Sequence, residues 1–154
     1  MTTAMKKTHR ARREILSREG VIEGWDLSLY AIAQGGKAVE ERRREEQIYL
    51  TVRGTLVEAV SGVVEFDFQI TGTDSPMAGR AEIPCVGSVI AVRPKLQAGV
   101  ELSLRQFDTL LSVARAGHLK SCHFSFQTPR YGSALIASVS FSTSQPEDWL
   151  CLRS

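Results

Sequence analysis

Three side chains suited to acid–base, metal or nucleophilic chemistry fall within a short stretch, at His118, Cys122 and His123. Thiolate and imidazole are the ligands that zinc prefers, and a thiol beside an imidazole can act as a nucleophile. Cys122 and His123 are neighbours in a segment of alternating apolar and polar residues, so their side chains should point to opposite faces of a strand. This spacing predicts no metal site and no catalytic residue, and Cys85 and Cys151 lie far away in sequence.

Other catalytic patterns are also weak. Glu65 and Asp67 share one face of an alternating segment, which is typical of a solvated strand face rather than of paired catalytic carboxylates. The glycines form neither a phosphate-binding loop with lysine nor a dinucleotide-binding pattern. The sequence therefore predicts no cofactor, and an enzymatic role is not favoured.

Basic residues give a stronger signal, because most of the positive excess in a net charge of +2 lies before residue 14. Such an arm can neutralise phosphates or dock on an acidic protein surface, although a solubilising tail has the same composition. We predict that the arm binds a partner through Lys6, Lys7, Arg10, Arg12 and Arg13.

A second candidate surface consists of Arg93, Lys95, Arg130 and Tyr131. The segment TPRYGS, at 128–133, joins two predicted strands and places a guanidinium next to an aromatic ring. Arginine and tyrosine are enriched at protein-binding hot spots, and the same pair can stack on a nucleic-acid base. We expect these four residues to contribute to binding from the loops and the surface.

Length and composition narrow the class of protein. A chain of 154 residues with 43% apolar and 23% charged residues predicts a single domain with its own core. No apolar run is long enough to span a membrane, and no signal-peptide pattern follows the basic arm. Three cysteines, an odd number, do not suit a secreted disulfide scaffold. These features predict a cytoplasmic protein without a membrane partner.

Alternating apolar and polar residues predict that strands dominate the chain. The clearest are two hairpins, one formed by 48–56 and 64–70 and the other by 122–127 and 135–141. A further strand is predicted at 22–33, and two short ones at 82–85 and 87–93. A last short segment runs from Gly99 into Val100 and Leu102 before the helix. The charged run at 37–47 fits either a short exposed helix, through acids and bases four residues apart, or a solvated loop.

One helix is predicted at about 104–116, because Ser103 and Gln106 form a capping-box pattern and Gly117 supplies a stop. About eight strands with one helix packed on them indicate an α+β, sheet-rich fold, either an antiparallel sandwich or a curved, partly closed sheet. The expected organisation is a basic arm at 1–20 with some helical character, a single antiparallel domain at 21–145 and a tail at 146–154 that packs on the body.

These observations favour a non-catalytic binding or assembly module that acts through a protein–protein interface, with a nucleoprotein partner as a variant. An accessory subunit, or an inhibitor encoded by a mobile element, would fit this description, and a homo-oligomer is compatible with it. Two alternatives stay open. One is a small cytoplasmic hydrolase or transferase using His118 or His123 with Cys122, and the other is a β-barrel that binds a small ligand in its interior.

Overall fold

The computed structural model of the chain describes residues 13–74 and 84–146. In these residues, seven strands form one closed barrel in the order β1-β2-β3-β5-β4-β7-β6, and a single α-helix accompanies them. The sheet-rich α+β class predicted from the sequence is confirmed. The elements are β1 (Ile15–Gln34), β2 (Arg43–Val60), β3 (Val63–Thr73), β4 (Gly87–Ala91), β5 (Leu96–Ser103), α1 (Leu104–Arg115), β6 (Ser121–Gln127) and β7 (Ala134–Ser142).

The sheet differs from the predicted one in strand number and in direction. The described residues contain seven strands where about eight were predicted, and β3 and β5 run parallel whereas all other neighbouring pairs are antiparallel. The parallel pair arises because the chain does not place β4 next to β3. Strand β4 lies one position further along the sheet, and β5 then pairs between β3 and β4. Of the short strand predicted at 82–85, residues 82 and 83 lie outside the described residues, and Pro84 and Cys85 are not in a strand.

The two predicted hairpins and the helix are confirmed. Strands β2 and β3 are joined at Ser61-Gly62, and β6 pairs with β7. The Ser103 side chain accepts a hydrogen bond from the Gln106 N–H at 3.2 Å, which caps the first turn of α1. Gly117 follows the helix with a φ of +75°, a conformation that glycine adopts without strain.

The first strand is longer than its sequence pattern predicted. Residues 15–20, which we had assigned to an arm with helical character, extend β1 and pair with β6 from Ile15↔Gln127 onward. The charged run is not an α-helix either, because only Val39–Glu41 form a 3-10 turn and β2 begins at Arg43. Pairing of 15–20 with the distant β6, and of 43–47 with the preceding strand β1, thus overrides the local preference of each segment.

Four phenylalanines fill the middle of the barrel, and each is almost fully buried. The ring centroids of Phe66 and Phe68 are 5.1 Å apart, those of Phe68 and Phe124 are 4.9 Å apart, and those of Phe124 and Phe126 are 5.1 Å apart. Aromatic pairs at these separations stabilise a core beyond the area that they bury. The interior is therefore a continuous aromatic column.

The barrel has two unlike ends. At the loop end lie the turn at Ser61-Gly62, the β4–β5 connection at 92–95 and the β6–β7 turn at 128–133. At the helix end, α1 buries Phe107, Leu110 and Ala114 against the core. Beyond the helix end, 29–34 of β1 and 43–48 of β2 pair only with each other among the described residues, and we call this pair the ribbon.

Candidate binding surface at the loop end

The structure gathers the described members of the predicted basic set at the loop end. Arg13 precedes β1 there, and the Thr128 N–H donates to the Glu14 carbonyl at 2.7 Å, which ties the start of β1 to the end of β6. Arg93 lies in the β4–β5 connection, and Arg130 and Tyr131 lie in the β6–β7 turn. The other predicted arm residues, Lys6, Lys7, Arg10 and Arg12, lie outside the described residues.

Two of these guanidinium groups bind backbone carbonyls rather than carboxylates. The Arg13 Nη1 donates to the Ser133 carbonyl at 3.2 Å, and the Arg93 Nη2 donates to the Ser61 carbonyl at 2.9 Å. Among the residues that the structure describes, neither group has a carboxylate within salt-bridge distance. Both guanidinium groups are held in place by these turns.

Lys95 differs from its neighbours in this set. Its Nζ lies 2.9 Å from the Asp67 Oδ2, and both side chains are partly buried. The ion pair links the start of β5 to β3, its parallel neighbour. Lys95 thus has a carboxylate partner within the fold, which the sequence pattern did not reveal because the two residues are far apart along the chain.

Tyr131 occupies a backbone conformation that rarely accepts a tyrosine. Its φ is +53°, that of Gly132 is +76°, and Arg130 and Ser133 exchange hydrogen bonds of 2.9 and 3.0 Å across the turn. A two-residue turn with both central φ angles positive is a type I′ turn, which favours Asn-Gly. The Tyr131 side chain is fully exposed to solvent, so burial does not compensate for this conformation.

A second turn of the same kind provides an internal reference. Ser61 and Gly62 have φ angles of +50° and +80° and connect β2 to β3 at the same end of the barrel. A small polar residue thus occupies the position that corresponds to Tyr131. Arg93, Tyr131 and Ser61 line one shallow depression of about 420 Å³, so the two turns and the Arg93 guanidinium form a common surface.

The cysteine and histidine residues that the structure describes do not form a site. Cys122 faces the core and is 2% exposed, and His123 follows it on β6 and so points to the opposite face. Burial raises the pKa of the Cys122 thiol to about 12, so the thiol is protonated at neutral pH and is a poor nucleophile. Within 13–74 and 84–146, no group of three or more His, Cys, Asp or Glu residues is arranged to hold a metal ion. Cys151 lies outside the described residues.

The interior leaves little room for a small ligand. Phe66, Phe68, Phe124 and Phe126 occupy the middle of the barrel in mutual contact, and Trp25 packs against the edge of the same core. A ligand-binding barrel needs a cavity where this aromatic column stands. The observed packing argues against that alternative.

Sequence reasoning missed a groove of about 860 Å³ at the helix end, lined by polar and apolar side chains alike. Leu29 and Ile48 of the ribbon form one wall, and Leu104 and Leu111 of α1 belong to the other. Leu29 is 70% exposed although it continues the inward-facing row of β1. The signal that could have indicated the groove is the length of the alternating pattern in β1, which continues beyond the residues that belong to the closed barrel.

Comparison of the chain with protein-family models, with curated proteins and with solved structures gave no match. The case for a function therefore depends on the chain's own geometry. Among the described residues, no helix has the length and the apolar character that a membrane span requires.

Proposed function

We propose that this protein is a non-catalytic binding or assembly module, and that it docks an acidic surface of a partner protein on the loop end of its barrel. The observation that carries the proposal is Tyr131, a fully exposed aromatic residue in a left-handed turn position. Such a residue costs stability and gains no burial, and strained conformations of this kind concentrate at functional sites. Binding gives a reason for its presence.

The charges around Tyr131 support an anionic partner. Arg93 lines the same depression as Tyr131, and Arg13 is fixed to the β6–β7 turn through the Ser133 carbonyl. Neither guanidinium is neutralised by a carboxylate in the described part of the chain. Charges of this kind steer association and fix orientation, and an exposed tyrosine beside them can supply a hot spot.

A protein partner suits this surface better than a nucleic acid does. Acidic residues such as Glu14 and Glu58 lie at the same end as the arginines, and Glu58 is 3.8 Å from Arg18. Protein surfaces that bind nucleic acids usually carry many positive charges without acidic neighbours. The predicted cytoplasmic location belongs to the same proposal, because a binding module of this kind would meet its partner there.

The test compares two substitutions of matched geometry, Tyr131→Asn and Ser61→Asn. Asparagine tolerates the left-handed conformation at both positions, so both turns should be retained. Proteins captured from the native host by each tagged variant would be quantified by mass spectrometry against the wild type. We expect at least one wild-type partner to be reduced about tenfold by Tyr131→Asn, a loss of about 1.4 kcal/mol in binding, and to be unaffected by Ser61→Asn.

A second comparison tests the charges with purified components. Binding of a labelled polyglutamate peptide and of a labelled DNA duplex would be measured over a salt series for the wild type, for Arg13→Gln/Arg93→Gln and for a control, Arg105→Gln/Arg115→Gln, on α1. We expect the first pair alone to weaken peptide binding. Tighter binding of the duplex than of the peptide, with a steep salt dependence, would replace the protein partner with a nucleic acid. Equal losses in the two variants would remove the loop end from the mechanism.

A further inference from the structure

Among the described residues, neither edge of the ribbon has a partner strand, and the free edge of β1 is the longer of the two. Strand β1 pairs with β6 up to Val21↔Ser121, and the Ile22 N–H still donates to the Lys120 carbonyl at 2.9 Å. From Glu23 to Gln34, β1 pairs with β2 on one side, and among the described residues no strand pairs with its other side. A long row of backbone donors and acceptors therefore faces outward along β1.

The two edges of the ribbon differ in composition. The β2 edge carries Arg43, Arg44, Glu45 and Glu46 in succession, and charges of this kind keep an exposed strand from pairing with another chain. The β1 edge, over 27–34, contains no charged residue, no proline and no glycine. Only one of the two edges is protected against strand addition.

The apolar side chains of the β1 edge are also exposed. Leu29 is 70% exposed on the face that continues the barrel interior, and Ile32 is 48% exposed on the opposite face. A two-stranded ribbon is only marginally stable on its own, whereas added strands and a covered apolar face stabilise it. This edge has the properties of one half of an interface.

We propose that the β1 edges of two copies of this chain pair antiparallel about Tyr30, over residues 27–33, so that the two ribbons form one four-stranded sheet. An uncharged edge can pair with itself because no like charges meet across the two-fold axis. That axis is perpendicular to the sheet, so the rows that contain Leu27 and Leu29 in the two copies lie on the same side and form one continuous apolar face. This surface lies at the opposite end from the proposed partner site.

The test uses a pair of variants with equal added charge. Ser28→Lys/Ile32→Lys places cations on the β1 edge, on the face away from the helix-end groove, and Val64→Lys/Ile90→Lys places two cations at exposed positions of β3 and β4. Molar mass would be measured by light scattering from micromolar to millimolar concentration. We expect twice the chain mass of 17.0 kDa for the wild type and for the control, and 17.0 kDa for the β1-edge variant.

Hydrogen exchange gives a second readout that does not depend on a variant. Amides of 27–33 should exchange more slowly in concentrated than in dilute wild-type protein, and those of 43–48 should change much less. A wild-type chain that stays monomeric over the whole concentration range would overturn the proposal, as would a dimer that survives Ser28→Lys/Ile32→Lys. If the wild-type chain is monomeric while partner capture still depends on Tyr131, the dimer proposal fails and the proposed function stands.

Discussion

The two ends of the barrel present different kinds of surface. The loop end is built from tight turns, and it displays side chains, with Arg13, Arg93 and Tyr131 held by backbone hydrogen bonds or by turn geometry. The helix end extends into a ribbon and displays backbone, because β1 continues for many residues beyond its last contact with β6. Side-chain surfaces suit selective recognition of a partner, whereas a bare strand edge suits strand addition.

Each end of the barrel also contains a feature that lowers the stability of the fold, and the two features differ. At the loop end the departure is a single residue, Tyr131, in a position where asparagine or glycine would be relaxed. At the helix end it is a segment, 27–34, whose apolar and uncharged residues stay exposed. The two departures lie at opposite ends of one scaffold, and the following predictions test whether they are independent of each other.

The largest expected effect is on the core that both ends share. Phe68 is fully buried and contacts the rings of both Phe66 and Phe124, so Phe68→Ala removes the centre of the aromatic column. We expect a loss of about 3–5 kcal/mol in the free energy of unfolding, measured by urea denaturation. Val64→Ala, at an exposed position of the same strand, should change it by less than about 0.5 kcal/mol. Unfolding in two separate steps would show that the ends do not share one core.

A second prediction concerns the exclusion of water from the Cys122 side chain inside the barrel. Burial raises the pKa of this thiol from its ordinary 9.0 to about 12, so the folded chain retains a proton that the unfolded chain loses. Stability should therefore be intact below pH 9 and decline as pH rises from 9 toward 12, by at most about 1.4 kcal/mol per pH unit. Urea denaturation between about pH 8 and about pH 10.5 measures this decline.

Cys122→Ala supplies the control, because lysines and tyrosines titrate over the same pH range in both proteins. The decline attributable to the thiol is the difference between the wild type and this variant. Parallel pH profiles would mean that water reaches the sulfur and that the barrel is open near Gly20, the residue paired with Cys122 on β1.

The third prediction separates the helix end from the loop end. Ser103→Ala removes the hydrogen bond that the Gln106 N–H donates at the start of α1, and we expect a loss of about 1 kcal/mol. Hydrogen exchange should accelerate in the first turn of α1 and stay unchanged in the turn at 128–133. Ser112→Ala is the matched control, because its hydroxyl bonds to the Asp108 carbonyl within the helix rather than at its end. Equal acceleration in both segments would contradict the independence of the two ends.

Elements that depend on interactions between residues close in sequence were predicted, and elements that depend on interactions between distant residues were not. Local signals sufficed for α1, where Ser103 and Gly117 mark the two ends, and for the hairpins whose strands are adjacent in sequence. The parallel pairing of β3 with β5 and the pairing of 15–20 with β6 join distant segments, for which alternation carries no information about the partner strand. The strand order and the one parallel pairing were therefore not predictable.

The sequence proposed members for the candidate site but could not predict their geometry. Residue types singled out Arg93, Arg130 and Tyr131, and the structure brings them to one end of the barrel. The ion pair of Lys95 with Asp67 depends on the parallel register, and the positive φ of Tyr131 depends on a turn type that Asn-Gly, not Tyr-Gly, would have signalled. The unprotected edge of β1 was hidden because its sequence is typical of a strand with neighbours on both sides.

The smallest expected effect is a gain in the free energy of unfolding, whereas the other predictions are losses, and it concerns Tyr131. Because asparagine tolerates a positive φ better than tyrosine does, Tyr131→Asn should raise the free energy of unfolding by about 0.5–1 kcal/mol. Ser61→Asn, in the corresponding turn, should raise it by a few tenths of a kcal/mol at most. Urea denaturation of both variants measures the difference. A gain in stability together with a loss of partner binding is the result expected of a residue retained for recognition, whereas a loss of stability would mean that the exposed ring supports the fold.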